Sequence, residues 1–97
     1  MNKVALITGA GTGIGKAVAL ALLKEGYSVV LAGRRRALLE ETAGQGGSKT
    51  LVVPTDVGDP AAVRSLFARA KDAFGRLDLL FNNAGIGLSS APLESTP

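Results

Sequence analysis

Val4-Ala5-Leu6-Ile7-Thr8-Gly9-Ala10-Gly11-Thr12-Gly13-Ile14-Gly15 is the stretch that decides the fold. Its first five residues are a short, largely apolar run with three β-branched side chains, which suits a buried strand. A glycine-rich turn follows directly, and beyond it a helical pattern runs from about Gly13 to Glu25. Such a turn gathers backbone N–H groups and the positive end of a helix dipole at one point, where a phosphate can sit. Glycines belong where a Cβ would block the turn or the close approach. The competing reading is a turn kept only for tight strand-to-helix packing. The strand before, the helix after and the glycine spacing together favour the phosphate.

Working outward, the same alternation continues. Ser28 to Ala32, Thr50 to Val53 and Leu77 to Asn82 read as further strands, with little polar alternation, as in a parallel sheet covered on both faces. A second helix is expected from about Arg35 to Ala43 and a third from about Pro60 to Phe74. The third is the best specified. Asp59 suits the N-cap, Pro60 the first helical position and Gly75 the end, while Val63, Leu66, Phe67, Ala70 and Phe74 form one apolar stripe. Gly44-Gln45-Gly46-Gly47-Ser48 reads as a loop between the second helix and the third strand. The order β-α-β-α-β-α-β with right-handed crossovers gives an open, doubly wound α/β sheet. Its nucleotide-binding (Rossmann) version places the strands in the order 3-2-1-4; periodicity alone does not choose that order over the flavodoxin-like one, and the motifs must decide.

Two rival phosphate loops fail against the residues. Ala10 to Ala17 nearly fits the P-loop, yet Ala17 stands where Ser or Thr would hold Mg²⁺. The G-x-G-x-x-G pattern, started from Gly9 and Gly11, meets Ile14 at its third glycine. The spacing that fits is G-x-x-x-G-x-G, as Gly9, Gly13 and Gly15.

Thr8-Gly9-x-x-x-Gly13-Ile14-Gly15, together with Asn82-Asn83-Ala84-Gly85 at the end of the fourth strand, resembles the N-terminal half of the short-chain dehydrogenase/reductase family. The resemblance covers essentially the whole chain, and it implies an oxidoreductase that moves a hydride between a nicotinamide cofactor and a carbonyl or alcohol. It also implies cofactor contacts, residue by residue. Thr12 and Ile14 would face the pyrophosphate and nicotinamide ends, Asp56 would accept from the adenine amino group, and the Val57 backbone would lie beside it. Asn83, Ala84 and Gly85 would line the adenosine ribose, while Asn82 would brace the sheet. For Asp56 a turn role ahead of Asp59-Pro60 is the alternative.

The cofactor's identity turns on the end of the second strand. In NAD-specific members an acidic side chain there accepts from the ribose hydroxyls; this chain has Gly33, followed by Arg34 and Arg35. An acid would repel a 2′-phosphate, whereas an arginine offers it a planar, permanently charged fork. NADP(H) is therefore expected over NAD(H), held by Arg34 first and Arg35 second, with Arg36 a solvated residue of the next helix. A basic loop without a ligand is the competing reading.

Charge and composition narrow the alternatives. The net charge is +3, and without Arg34, Arg35 and Arg36 the basic residues equal the eight acidic ones. So local an excess, with three Phe, one Tyr and no Trp, does not describe a nucleic-acid surface. Cysteine and histidine are both absent, which removes disulfides, thiolate metal sites and imidazole bases. The longest apolar run, Ala17 to Leu23, falls far short of a membrane span. The expectation is a soluble, cytoplasmic protein that binds neither membrane nor nucleic acid.

The family's chemistry uses a Tyr, a Lys four residues later and a Ser. Here the only tyrosine is Tyr27, four residues before Leu31, so no Tyr-x-x-x-Lys is present. Residues 1–97 are thus expected to be the first part of one dinucleotide-binding domain, inactive alone, from a parent enzyme whose catalytic residues lie beyond Pro97 and which forms a homo-oligomer. Leu79, Leu80 and Phe81 would then lie on an unpaired sheet edge. The alternatives are a non-catalytic nucleotide-binding or sensor module and an inert truncated product. Substrate identity is not legible, because in this fold it is set by later loops.

Overall fold

The computed structural model describes residues 3–47 and 49–83. Four strands and three helices alternate: β1 (Val4–Thr8), α1 (Gly13–Lys24), β2 (Ser28–Gly33), α2 (Arg36–Gly46), β3 (Thr50–Pro54), α3 (Pro60–Phe74) and β4 (Leu79–Asn82). The sheet is parallel with the order β3-β2-β1-β4. This is the doubly wound Rossmann-type arrangement expected from the sequence, in its first half.

The strands lack polar alternation because helices cover both faces. Side chains alternate across β1. Val4 and Leu6 join Val30, Ala32, Val53, Leu66 and Ala70 beneath α3. Ala5 and Ile7 join Ala19, Val29, Leu31 and Leu39 beneath α1 and α2. All five residues of β1 are buried. Burying a Leu- or Ile-sized side chain contributes about 1.5–3 kcal/mol, so this central strand anchors both layers.

Helix α3 has the boundaries the sequence predicts. The Asp59 carboxylate accepts from the Ala61 amide at 3.0 Å, Pro60 fills the first position, and Gly75, at φ +80°, donates to the Lys71 carbonyl at 2.7 Å.

Two segments differ from the sequence reading. Helix α2 continues through Gly44, Gln45 and Gly46, which the glycine run had suggested were loop. This last turn packs on α1, where Gly46 lies against the Leu20 and Leu23 side chains. Glycine serves there as a helix-to-helix contact, and the chain leaves the helix only at Gly47, whose φ is +95°. The fourth strand begins at Leu79 rather than Leu77. Before it, Asp78 clamps the start of β1: its Oδ2 accepts from the Val4 amide at 2.8 Å, and its own amide donates to the Val4 carbonyl at 2.8 Å.

Strand β4 ends the sheet among the described residues; of the three side chains expected at that edge Leu79 is exposed, while Leu80 and Phe81 are partly buried because each packs against one of the two cores. Among the described residues, no helix is long and apolar enough to cross a membrane.

Candidate functional site

Parallel register brings the ends of four strands to one edge. Thr8 pairs with Ala32 and Asn82, and Gly33 pairs with Pro54, so β1, β2, β3 and β4 all finish at the same side of the sheet. In open α/β sheets ligands bind outside these carboxyl ends. Tyr27 precedes β2 and so lies toward the opposite edge, where it packs against the core under α1 and α2.

The glycine turn is built by steric necessity as much as by ligand access. A Cβ on Gly15 would strike the Gly9 carbonyl, so α1 can start this close to the turn only with glycine there. Gly13, by contrast, has open space around it but a φ of +57°, which glycine alone adopts freely. Asn83 stands against both Gly9 and Gly15: its Nδ2 would be 2.9 Å from a Cβ on the first and 3.0 Å from one on the second. The two motifs, far apart in sequence, therefore meet. Beside them the Thr8 hydroxyl donates to Asn82 Oδ1 at 3.0 Å, the bracing role expected of Asn82.

A cavity of about 310 Å³ opens next to the turn, lined by Gly9, Gly11, Thr12, Gly33, Arg34, Arg35, Leu38 and Leu39. That space is at the lower end of the range of small-molecule sites, about 300–1,000 Å³. Helices α1 and α2 both begin at it, and neither is capped. Thr12 occupies the α1 N-cap, yet its hydroxyl makes no capping bond; Arg35 occupies the α2 N-cap and makes none either. Neither helix has an acidic residue in its first turn.

Three consecutive arginines, Arg34 to Arg36, thus stand at the start of α2, beside the positive end of its dipole, an unfavourable arrangement that a bound anion would relieve. Arg36 pairs with Glu40 at 3.4 Å across an exposed helix turn. Among the described residues, neither Arg34 nor Arg35 has a carboxylate partner.

The remaining expected residues fall at the same edge with different surroundings. Ile14 is 66% exposed at the start of α1, an unusual exposure for an isoleucine. Asp56 and Val57 follow β3 but do not line the cavity. The Asp56 Oδ1 accepts from the Gly58 amide at 2.9 Å, and its carbonyl accepts from Asp59 at 2.9 Å. Asp56 thus builds the turn that delivers the Asp59 cap. Ala84 and Gly85 lie outside the described residues.

Leu38, Leu39 and Thr42 of α2 were not singled out from the sequence. Thr42 is fully buried, and its hydroxyl reaches the Ala10 carbonyl inside the glycine turn at 3.1 Å. The available signal was a polar residue three positions after Leu39, on the helix stripe that otherwise carries apolar side chains.

Comparison with known proteins accords with this geometry. The short chain dehydrogenase family model matches residues 3–96. An uncharacterized oxidoreductase of Staphylococcus aureus (strain USA300) is 48% identical over 90 residues, covering 92% of this chain and 39% of that protein. A 3-ketoacyl-(acyl-carrier-protein) reductase from Brucella melitensis, solved with NADH, is 41% identical with a TM-score of 0.78, over 80% of this chain and 32% of that one. A short chain dehydrogenase/reductase from Burkholderia phymatum, solved with NAD, is 39% identical with a TM-score of 0.79, over 81% of this chain and 29% of that one. The chain spans about 39% of the length of the curated relatives it matches. With nearly the whole chain matched, and with the glycine turn and Asn83 meeting at the carboxyl edge of a 3-2-1-4 sheet, this protein belongs to the short-chain dehydrogenase family.

Proposed function

We propose that this chain is the cofactor-binding part of an oxidoreductase that uses NADP(H) in preference to NAD(H). The observation that carries the preference is the pair Arg34 and Arg35, both on the cavity wall and without carboxylate partners among the described residues, at an uncapped helix start. The similar structures solved with NADH and NAD support a nicotinamide dinucleotide as such. Gly33, where an acid would repel a 2′-phosphate, supports the phosphorylated form.

In this reading the open amides of α1 and the Thr12 hydroxyl hold the pyrophosphate, and Arg34, backed by Arg35, holds the 2′-phosphate. Asp56 keeps its turn-building Oδ1 bond and offers its other oxygen to the adenine amino group, beside the Val57 backbone. Asn83 lines the ribose, the role that the family resemblance also gives to Ala84 and Gly85. When bound, the nicotinamide gives or takes a hydride from a carbonyl or alcohol substrate. Residues 1–97 form the first part of one dinucleotide-binding domain, and further strands of a longer parent would cover the β4 edge. That parent is read as a cytoplasmic homo-oligomer acting on small molecules.

A charge-assisted hydrogen bond contributes about 1.5–3 kcal/mol, which corresponds to roughly ten- to a hundredfold in affinity. Titration of wild type and Arg34→Ala with NADPH and NADH tests the assignment. The variant is expected to lose preference by that factor through weaker NADPH binding alone, and an unchanged ratio would overturn it.

A further inference from the structure

The glycine turn does not stand free; one residue of it, Ala10, is held on both sides, at its amide and at its carbonyl. The Ala10 amide donates to the Ala32 carbonyl at the end of β2, at 3.1 Å. The Ala10 carbonyl accepts from the Thr42 hydroxyl at 3.1 Å. Ala10 and Thr42 are both fully buried, and Thr42 lies thirty-two residues further along the chain, on α2. The same hydroxyl lies 3.2 Å from the Leu38 carbonyl one turn earlier, so its single proton is shared between the helix and the turn.

That bond fixes more than a carbonyl. Among the described residues no peptide is cis, and in a trans peptide the C=O and the following N–H point in opposite directions. Holding the Ala10 carbonyl toward α2 therefore aims the Gly11 amide away from it. Gly11 lines the cavity, and among the described residues its amide has no acceptor. The turn is also pressed against α2, because a Cβ on Gly11 would lie 2.7 Å from Leu38 Cβ. Thr42 thus links the cavity's two walls: the glycine turn, and the helix whose start carries Arg34 and Arg35.

We propose that Thr42 is a positioning residue for nucleotide binding, which holds the Ala10–Gly11 peptide so that the Gly11 amide is presented to a bound diphosphate. The inference rests on the nucleotide-binding reading above but not on the choice between NADP(H) and NAD(H). Its signature differs accordingly. Arginine substitutions change the ratio of the two affinities, whereas loss of the Thr42 hydroxyl weakens both equally.

Thr42→Val keeps the volume and removes the hydroxyl, leaving a buried carbonyl without its partner. Thr42→Ser keeps the hydroxyl. Binding of ADP, NADPH, NADH and adenosine 2′-monophosphate is measured by calorimetry, well below each variant's melting temperature. Thr42→Val is expected to weaken the three diphosphate ligands by roughly tenfold each, with the 2′-monophosphate unchanged and Thr42→Ser near wild type. Equal affinities in Thr42→Val and wild type would overturn the proposal, as would a loss that also struck the 2′-monophosphate or was not rescued by serine. Should Thr42→Val not fold, amide exchange in the wild type decides the matter. ADP is expected to protect the Gly11 amide, and an amide that ADP leaves unchanged overturns the proposal. A wild-type protein that binds none of the diphosphates overturns the nucleotide reading itself, and this inference with it.

Discussion

Helix α3 closes its own N-terminus with the Asp59 carboxylate, whereas α1 and α2, which begin at the cavity, leave theirs open. All three helices start at the carboxyl edge of the sheet, so position does not explain the contrast. Side-chain chemistry does. Asp59 combines an acceptor with the favourable charge for a helix start, and Pro60 removes one amide from the count. Thr12 is equally suited to capping by residue type but is not used that way, and α2 begins with arginines, the least favourable charge for its dipole. A chain that caps the helix away from the cavity and leaves the two beside it open forgoes stability where an anion would restore it.

The largest expected effect tests the arginines. The double variant Arg34→Ala/Arg35→Ala should lose NADPH affinity by more than the single variant, about a hundredfold, with NADH affinity unchanged in titration. Next comes conversion of an open start into a closed one. Arg35→Asp places a capping carboxylate at α2, where the N-cap backbone is already extended at φ −107°. It should raise the stability of the free protein by about 1 kcal/mol in urea denaturation while weakening NADPH binding by about tenfold. Weaker binding without the gain in stability would break the comparison.

The reverse exchange is confined to α3. Asp59→Ala should cost about 1 kcal/mol of stability in the same denaturation experiment and leave both cofactor affinities as they were. A change in affinity would show that the capped helix also serves the site.

The smallest effect belongs to the opposite edge. Asp78 is held below the ordinary carboxylate range, chiefly by the hydrogen bond from Arg76 and then by the Val4 amide. Because the folded value lies below the unfolded one, the clamp's stabilisation is complete above about pH 4 and is lost as pH falls through the folded value. Asp78→Asn should therefore flatten part of the acid limb of stability against pH. Cofactor affinity at neutral pH should not move.

Most of the fold was legible in the sequence because the strands are unbroken apolar runs and the Asp59, Pro60 and Gly75 signals of α3 are local. The end of α2 was not, because its last turn packs on Leu20 and Leu23 of another helix, and no local pattern carries that contact. The site divides in the same way. Gly9, Gly13, Gly15, Arg34 and Arg35 announce themselves by spacing and charge. Thr42 does not, because its partner is a carbonyl thirty-two residues away. The open helix starts lay between these cases: Thr12 and the arginines were visible, but whether the Thr12 hydroxyl capped its helix depended on geometry.

Hydrogen exchange at the three helix starts tests the central claim most directly. On adding NADPH, the amides of Ile14 and Gly15 in α1 and of Arg36 and Ala37 in α2 should exchange more slowly, while Ala61 in α3, already bound to Asp59, stays as it was. NADH should slow the α1 pair alone. If NADPH leaves both open starts unchanged, or slows Ala61 as much as the others, the account is contradicted.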